Sequence, residues 1–191
     1  MLNWNEHISY VSLKISRGVG ALNRARYLVP RNLLLLLYHS LIHPHLLYCN
    51  IVWGSAAAVH LNKLVLLQKR AIRILSGSLF RAHTSPIFSE LKLLKLIDLN
   101  KYLILLFLFK YKHSLLPASC SHLVSINSNY RTHNTRHCFF FTHPPCRTSC
   151  LQRCISHRGP LLWDSLPTTI SQLSYMLVFS KSTLAHFLST Y

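Results

Sequence analysis

Four cations crowd one short stretch of the chain: Lys63, Lys69, Arg70 and Arg73. At about 100° per residue, with Lys63 at 0°, Lys69 falls near 240°, Arg73 near 280° and Arg70 near 340°. Leu61, Leu64, Val65, Ala71, Ile72 and Leu75 fall between about 80° and 200°. One helix would therefore carry a cationic face and an apolar face. No acid lies on it to form an i,i+4 pair. Such a face suits a polyanion, and it also suits a plain solvated surface; the angles do not choose between them. Lys14, Arg17 and Arg24 form a second cationic stripe on an earlier helix.

Other chemistries have less to work with. Polymerase and nuclease sites hold catalytic magnesium between carboxylates. This chain has four acids, Glu6, Glu90, Asp98 and Asp164, and no two are near neighbours in sequence. A two-metal enzyme is argued against. Cys146, Cys150 and Cys154 are spaced four apart with His143 and His157 beside them. On a helix the three sulfurs would share a face, and thiolates and imidazoles are good zinc ligands. The tight C-x₂-C pair of structural zinc sites is missing, so three unconnected thiols are the simpler reading and no metal is assigned. Thirteen histidines are scattered, without a metalloprotease or triad pattern. With five glycines there is no phosphate-binding loop. No catalytic residue, cofactor or small-molecule substrate is expected.

Composition sharpens the electrostatic reading. There are 21 Lys and Arg against four acids, a formal charge of +17, yet only 13% of residues are charged. Soluble domains average roughly 25%. The resulting field attracts nucleic acid first and anionic membrane second. From Asn32 to Asn62 there is no Lys, Arg, Asp or Glu, and LLLLLYHSLIHPHLLYCNIVW (33–53) is about long enough to span a bilayer. Three imidazoles and Pro44 near its middle make insertion costly, so a buried helix broken at Pro44 is preferred. A membrane-associated basic protein is the alternative. The first ten residues, MLNWNEHISY, lack the basic and apolar regions of a secretory signal. Free thiols in a reducing compartment, cytoplasm or nucleus, are expected.

Hydrophobic periodicity places these residues on an all-α frame. A helix is expected over 6–28, with Ile8, Val11, Ile15 and Leu22 on one stripe and Gly18 admitting a close neighbour. A second covers 31–48, bent at Pro44 and buried on most sides. A connection (49–58) leads to the cationic helix, 59–76, with Gly77 as C-cap. Ser85 and Pro86 start another helix. Asp98 caps the next, whose run YLILLFLF (102–109) belongs in the core. These make a small helical bundle over 1–117. A loop-rich Cys/His/Ser linker follows over 118–157. The segment 158–191 holds a turn anchored by Trp163 and a terminal amphipathic helix carrying Leu173, Leu177, Leu184, Phe187 and Leu188.

Several blocks, in order, carry a family resemblance: LNWNEHI (2–8), KISRGVGALNRARYLVP (14–30), LLLLLYHSLIHPHLLYCNIVWG (33–54), LQKRAIRILSG (67–77), HTSPIFSELKLLKLIDL (83–99), TRH (135–137), RGPLLWDSLP (158–167) and FSKSTLAHFL (179–188). Together they resemble the region downstream of the polymerase palm in LINE-type (non-LTR) retrotransposon reverse transcriptases. The resemblance implies a helical thumb that grips an RNA–DNA duplex by its backbone. It places Lys63, Lys69, Arg70 and Arg73 first for that contact, and Lys14, Arg17 and Arg24 second. The family's paired palm aspartates and its endonuclease residues have no counterpart here. The expectation is a catalytically inactive remnant of a truncated element, with nucleic acid as partner and the palm or fingers of an intact element as a second partner. An open reading frame without selected function is the bland alternative.

Overall fold

The computed structural model describes residues 4–120, 122–126 and 141–191. Among them are eleven α-helices, one 3₁₀ turn and no strand, with a single isolated bridge between Ile126 and Phe141. The all-α expectation holds. The TRH block, Cys138, Phe139, Phe140 and the first two residues of LNWNEHI lie outside the described residues.

The chain divides into two compact units. The first comprises residues up to Asn100 together with Phe187–Tyr191. Its helix α1 (Asn5–Ala25) buries Ile8, Val11, Ile15, Gly18 and Leu22, the stripe that the spacing predicts, together with Val19. It packs on α5 (Ala58–Ser76), which buries Leu64, Gln68, Ala71, Ile72, Ile74 and Leu75. A Cβ on Gly18 would stand 3.0 Å from Ile42 Cγ1, so the small residue does admit a close neighbour.

The apolar segment 31–48 differs from expectation in two ways. Its break comes at Ile42 (φ −116°), between α2 (Arg31–Leu41) and α3 (His43–Leu47). Pro44 sits in the first turn of α3, where a missing N–H leaves no helical bond unmade. Nor is the segment buried on most sides. Leu34, Tyr38, Ile42 and Leu46, one every four residues, form the buried stripe, while Leu33, Leu36 and Leu41 are exposed. A helix at the edge of a small bundle has one face to bury, and a run of leucines does not mark which. The expected connection after it contains a short helix, α4 (Asn50–Trp53), entered through Cys49 in the left-handed region at φ 49°.

A polar network ties this unit together. Gln68, 1% exposed, lies at about 140° on α5, inside the apolar arc. Its Nε2 donates to Leu94 O (2.9 Å) and, more weakly, to Tyr38 Oη (3.3 Å). Its Oε1 accepts from Leu96 N–H at 2.9 Å. Gln68→Leu would strand the Leu94 carbonyl and the Leu96 amide. A loss of roughly 2–4 kcal/mol is expected, measured by denaturant unfolding; a loss below about 1 kcal/mol would mean the network is dispensable.

Burial pushes the Tyr38 phenol up to about 12, and the Gln68 hydrogen bond opposes the shift. Its folded value lies above its unfolded one, so the protonated form favours folding. That contribution is complete below pH 10 and is lost as pH rises from 10 through 12. Two units correspond to about 3 kcal/mol. Tyr38→Phe is expected to flatten this alkaline limb while changing stability little at pH 7. Superimposable pH profiles for the two proteins would refute it.

Helix α6 (Ser85–Glu90) has Thr84 rather than Ser85 at its N-cap position, without a side-chain capping bond, and Pro86 in its first turn. It ends after Glu90 in a Schellman turn: Leu93 N–H donates to Phe88 O, Lys92 N–H to Ser89 O, and Lys92 has φ 52°. Gly77 ends α5 by the same bond pattern at φ 67°, as expected, and Ser114 does so for α7 (Leu96–Lys112) at φ 54°. Asp98 lies inside the first turn of α7 instead of capping it.

The second unit spans Lys101–His186. The apolar part of α7 buries Ile104, Leu105, Leu108 and Phe109, as the run 102–109 predicts. The described parts of 118–148 hold a 3₁₀ turn (Ala118–Cys120) and the isolated bridge. Helix α8 (Ser149–Arg153) precedes α9 (Ile155–Asp164). The expected Trp163-anchored turn is thus the end of a helix, with Pro160 inside it. Burial of Trp163 and a close approach at Gly159, where a Cβ would stand 3.2 Å from Leu108 Cδ1, hold α9 despite the lost hydrogen bond. After α10 (Thr168–Ser171), α11 (Met176–Ser189) buries Phe179, Thr183 and Phe187. Leu177, expected on the buried side, is exposed. Phe109 and Trp163 both stack on Phe179, at ring-centroid distances of 4.4 and 5.7 Å.

Candidate nucleic-acid interface

The cationic face of α5 opens to solvent, with Lys63 and Arg70 exposed and Lys69 and Arg73 half-buried. Leu66 lies among them and is 65% exposed. The first unit carries twelve Lys and Arg against three acids, Glu6, Glu90 and Asp98. Arg31 occupies Glu90 in a 2.8 Å ion pair.

Two of the four α5 cations meet other cations at a cleft of about 370 Å³. Lys69 and Arg73 line one wall; Arg81 and His83, from the loop after α5, and Lys95, just before α7, line the others. Arg73 Nε donates to Ala82 O at 3.0 Å. Lys95 Nζ donates to Ser85 Oγ at 3.1 Å and sits 4.0 Å above the Tyr191 ring. Neutral partners therefore hold both side chains in place without cancelling their charge. Asp98 is the one carboxylate lining the cleft, and it accepts from Tyr191 Oη at 3.0 Å. Tyr191 in turn accepts from Lys95 N–H at 2.9 Å. Burial raises the Tyr191 phenol well above its ordinary range; the Lys95 N–H bond opposes the shift and the Asp98 carboxylate adds to it.

The remaining expected residues lie elsewhere in the unit. Lys63 borders a separate hollow of about 240 Å³ with Asn5, Ile8, Ser9 and His60. Arg70 is exposed and lines neither hollow. On α1, Arg17 and Arg24 are exposed, and Lys14 Nζ lies 5.3 Å from the Tyr10 ring. Sequence reasoning missed Arg81, His83 and Lys95. The signal was available: Gly77 stops α5 and Pro86 starts α6, so the intervening loop must stay near the end of α5.

The chain is 35% identical over 103 residues to the RNA-directed DNA polymerase from mobile element jockey of Drosophila melanogaster. That alignment covers 51% of this chain and 11% of the polymerase. No protein-family model matches the chain, and no solved structure does. The similarity is distant, and it is to a retrotransposon RNA-directed DNA polymerase.

The cysteine cluster does not form the helical face its spacing suggests. Cys146 lies in an irregular segment, Cys150 on α8, and Cys154 at the α8–α9 junction with ψ 153°. Extended backbone at Cys154 breaks the four-residue helical register. Among the described residues, no three His, Cys, Asp or Glu side chains gather as metal ligands. His143 Nε2 instead pairs with Asp164 Oδ2 at 2.7 Å, and His157 Nδ1 lies 3.1 Å from Pro144 O. Among the described residues, no helix is long and apolar enough to cross a membrane.

Proposed function

We propose that this chain is a thumb-like, catalytically inactive segment of a LINE-type reverse transcriptase that holds an RNA–DNA duplex by its phosphate backbone. One observation carries the reading: the cations of α5 have no acid on their helix, and two cations at the cleft, Arg73 and Lys95, are held by neutral groups. Cations in excess of acids and held in place are what a phosphate backbone requires. Similarity to the jockey polymerase supports the same origin. Lys63, Lys69, Arg70 and Arg73 form the principal contact, and Lys14, Arg17 and Arg24 a secondary one. Apolar side chains left exposed on the first unit, Leu33, Leu36 and Tyr48 among them, suit packing against the palm or fingers of an intact element.

Backbone contacts carry no sequence information. Affinities for two RNA–DNA duplexes of unrelated sequence, measured by fluorescence anisotropy at one salt concentration, should agree within about threefold. A preference beyond about tenfold, or no binding to either duplex, would overturn the proposal.

A further inference from the structure

The cleft beside α5 has the dimensions of a small-ligand site rather than of a duplex groove. About 370 Å³ lies at the lower end of the range for small-molecule pockets. A nucleic-acid duplex cannot enter it, whereas a single nucleotide or a strand end can. Its charge is also specific. Lys69, Arg73, Arg81 and Lys95 line it from three separate segments, four cations against the one carboxylate of Asp98. A phosphodiester brings one negative charge, whereas a phosphomonoester brings nearly two near neutral pH and three acceptor oxygens. Ser85, Arg73 and Lys95 are held by the contacts described above, so little side-chain freedom is lost when an anion arrives. The exposed flank of Ile97, together with Val65, offers an apolar edge for the rest of a nucleotide.

We infer that the cleft between α5, the 81–85 loop and the start of α7 is a phosphomonoester pocket that takes the terminal phosphate of a nucleotide, free or at the end of a nucleic-acid strand. The inference rests on the reading of α5 as a nucleic-acid-facing helix.

The test uses the full chain and one single-stranded oligonucleotide sequence with a terminal phosphate at its 5′ end, at its 3′ end, or at neither. Inorganic phosphate and adenosine monophosphate serve as competitors, all at one salt concentration. A terminal phosphate should tighten binding about tenfold, the worth of one or two charge-assisted hydrogen bonds. The double variant Arg81→Gln, Lys95→Gln should bring phosphorylated and hydroxyl-ended strands within about twofold of each other. If that variant loses helical signal, Arg81→Gln alone, at an exposed position, should still reduce the preference. Competition by adenosine monophosphate without any end preference would assign the pocket to free nucleotide. Binding of the competitors, with no binding of either the oligonucleotide or an RNA–DNA duplex, would keep the pocket and remove the duplex-holding function. Equal affinity for all strand ends, with no competition by either small anion, would overturn the pocket and leave the duplex-holding function standing.

Discussion

Gly54→Ala should unfold the first unit well below the melting temperature of the parent chain. Gly54 follows α4 at the point where α7 begins to cross beside it. A Cβ there would stand 2.3 Å from Asn100 Nδ2 and 2.4 Å from Asn50 O. Neither atom can yield cheaply. Asn100 Nδ2 already donates to Asn50 O (3.1 Å) and Asn50 Oδ1 (2.9 Å), while Asn50 Nδ2 donates to Leu46 O at 2.8 Å. Both asparagines are buried. The methyl group therefore adds overpacking to the loss of a buried hydrogen-bond network. Together these should cost about 3–5 kcal/mol. For a unit of this size that is a fall in Tm of about 15 °C or more, read from the helical circular dichroism signal. Gly20→Ala is the matched control. It lies inside α1 with nothing within 4 Å of the added Cβ, so it should stabilise by up to about 1 kcal/mol. A Tm for Gly54→Ala within about 2 °C of the parent would contradict the packing described at this corner.

The triple variant Lys69→Gln, Arg70→Gln, Arg73→Gln should have the largest effect on binding. Each phosphate neutralised on a duplex contributes about 0.9 to the slope of log K against log salt. Removing three contacts should make that slope shallower by roughly 2–3 and lower affinity about a hundredfold at moderate salt. The folded state should survive, because Lys69, Arg70 and Arg73 lie outside the apolar arc and Arg73 gives up one hydrogen bond to Ala82 O. That loss is worth about 1 kcal/mol. Neutralising Lys14, Arg17 and Arg24 together should change the slope less. An unaltered slope in the α5 variant would reject this face as the contact surface.

How much of this was readable beforehand differs from element to element. The cationic helix was legible because its apolar residues recur at helical spacing and Gly77 marks its end. The stripe on α1 was legible for the same reason. In α2, leucine fills five consecutive positions, 33–37, so periodicity vanishes and the buried line Leu34, Tyr38, Ile42, Leu46 emerges only from packing. The stop of α6 was hidden because Lys92, not glycine, takes the left-handed position. Helix α9 was hidden behind Gly159 and Pro160, whose local preference is overridden by the burial of Trp163. The role of Gln68 was not legible, since its partners Tyr38, Leu94 and Leu96 lie about thirty residues away in sequence. The cleft was half legible. The α5 cations announced themselves by proximity in sequence, but Arg81, His83 and Lys95 join them only once two turns bring the chain back.

The most direct measurement is the affinity of the unmodified chain for an RNA–DNA duplex across a salt series from about 50 to 200 mM. Log K should fall linearly with log salt, with a slope steeper than about −3, the signature of counterions displaced by several Lys and Arg side chains. An affinity that does not change across the series, or no binding at the lowest salt, would contradict the claim that these helices hold a phosphate backbone.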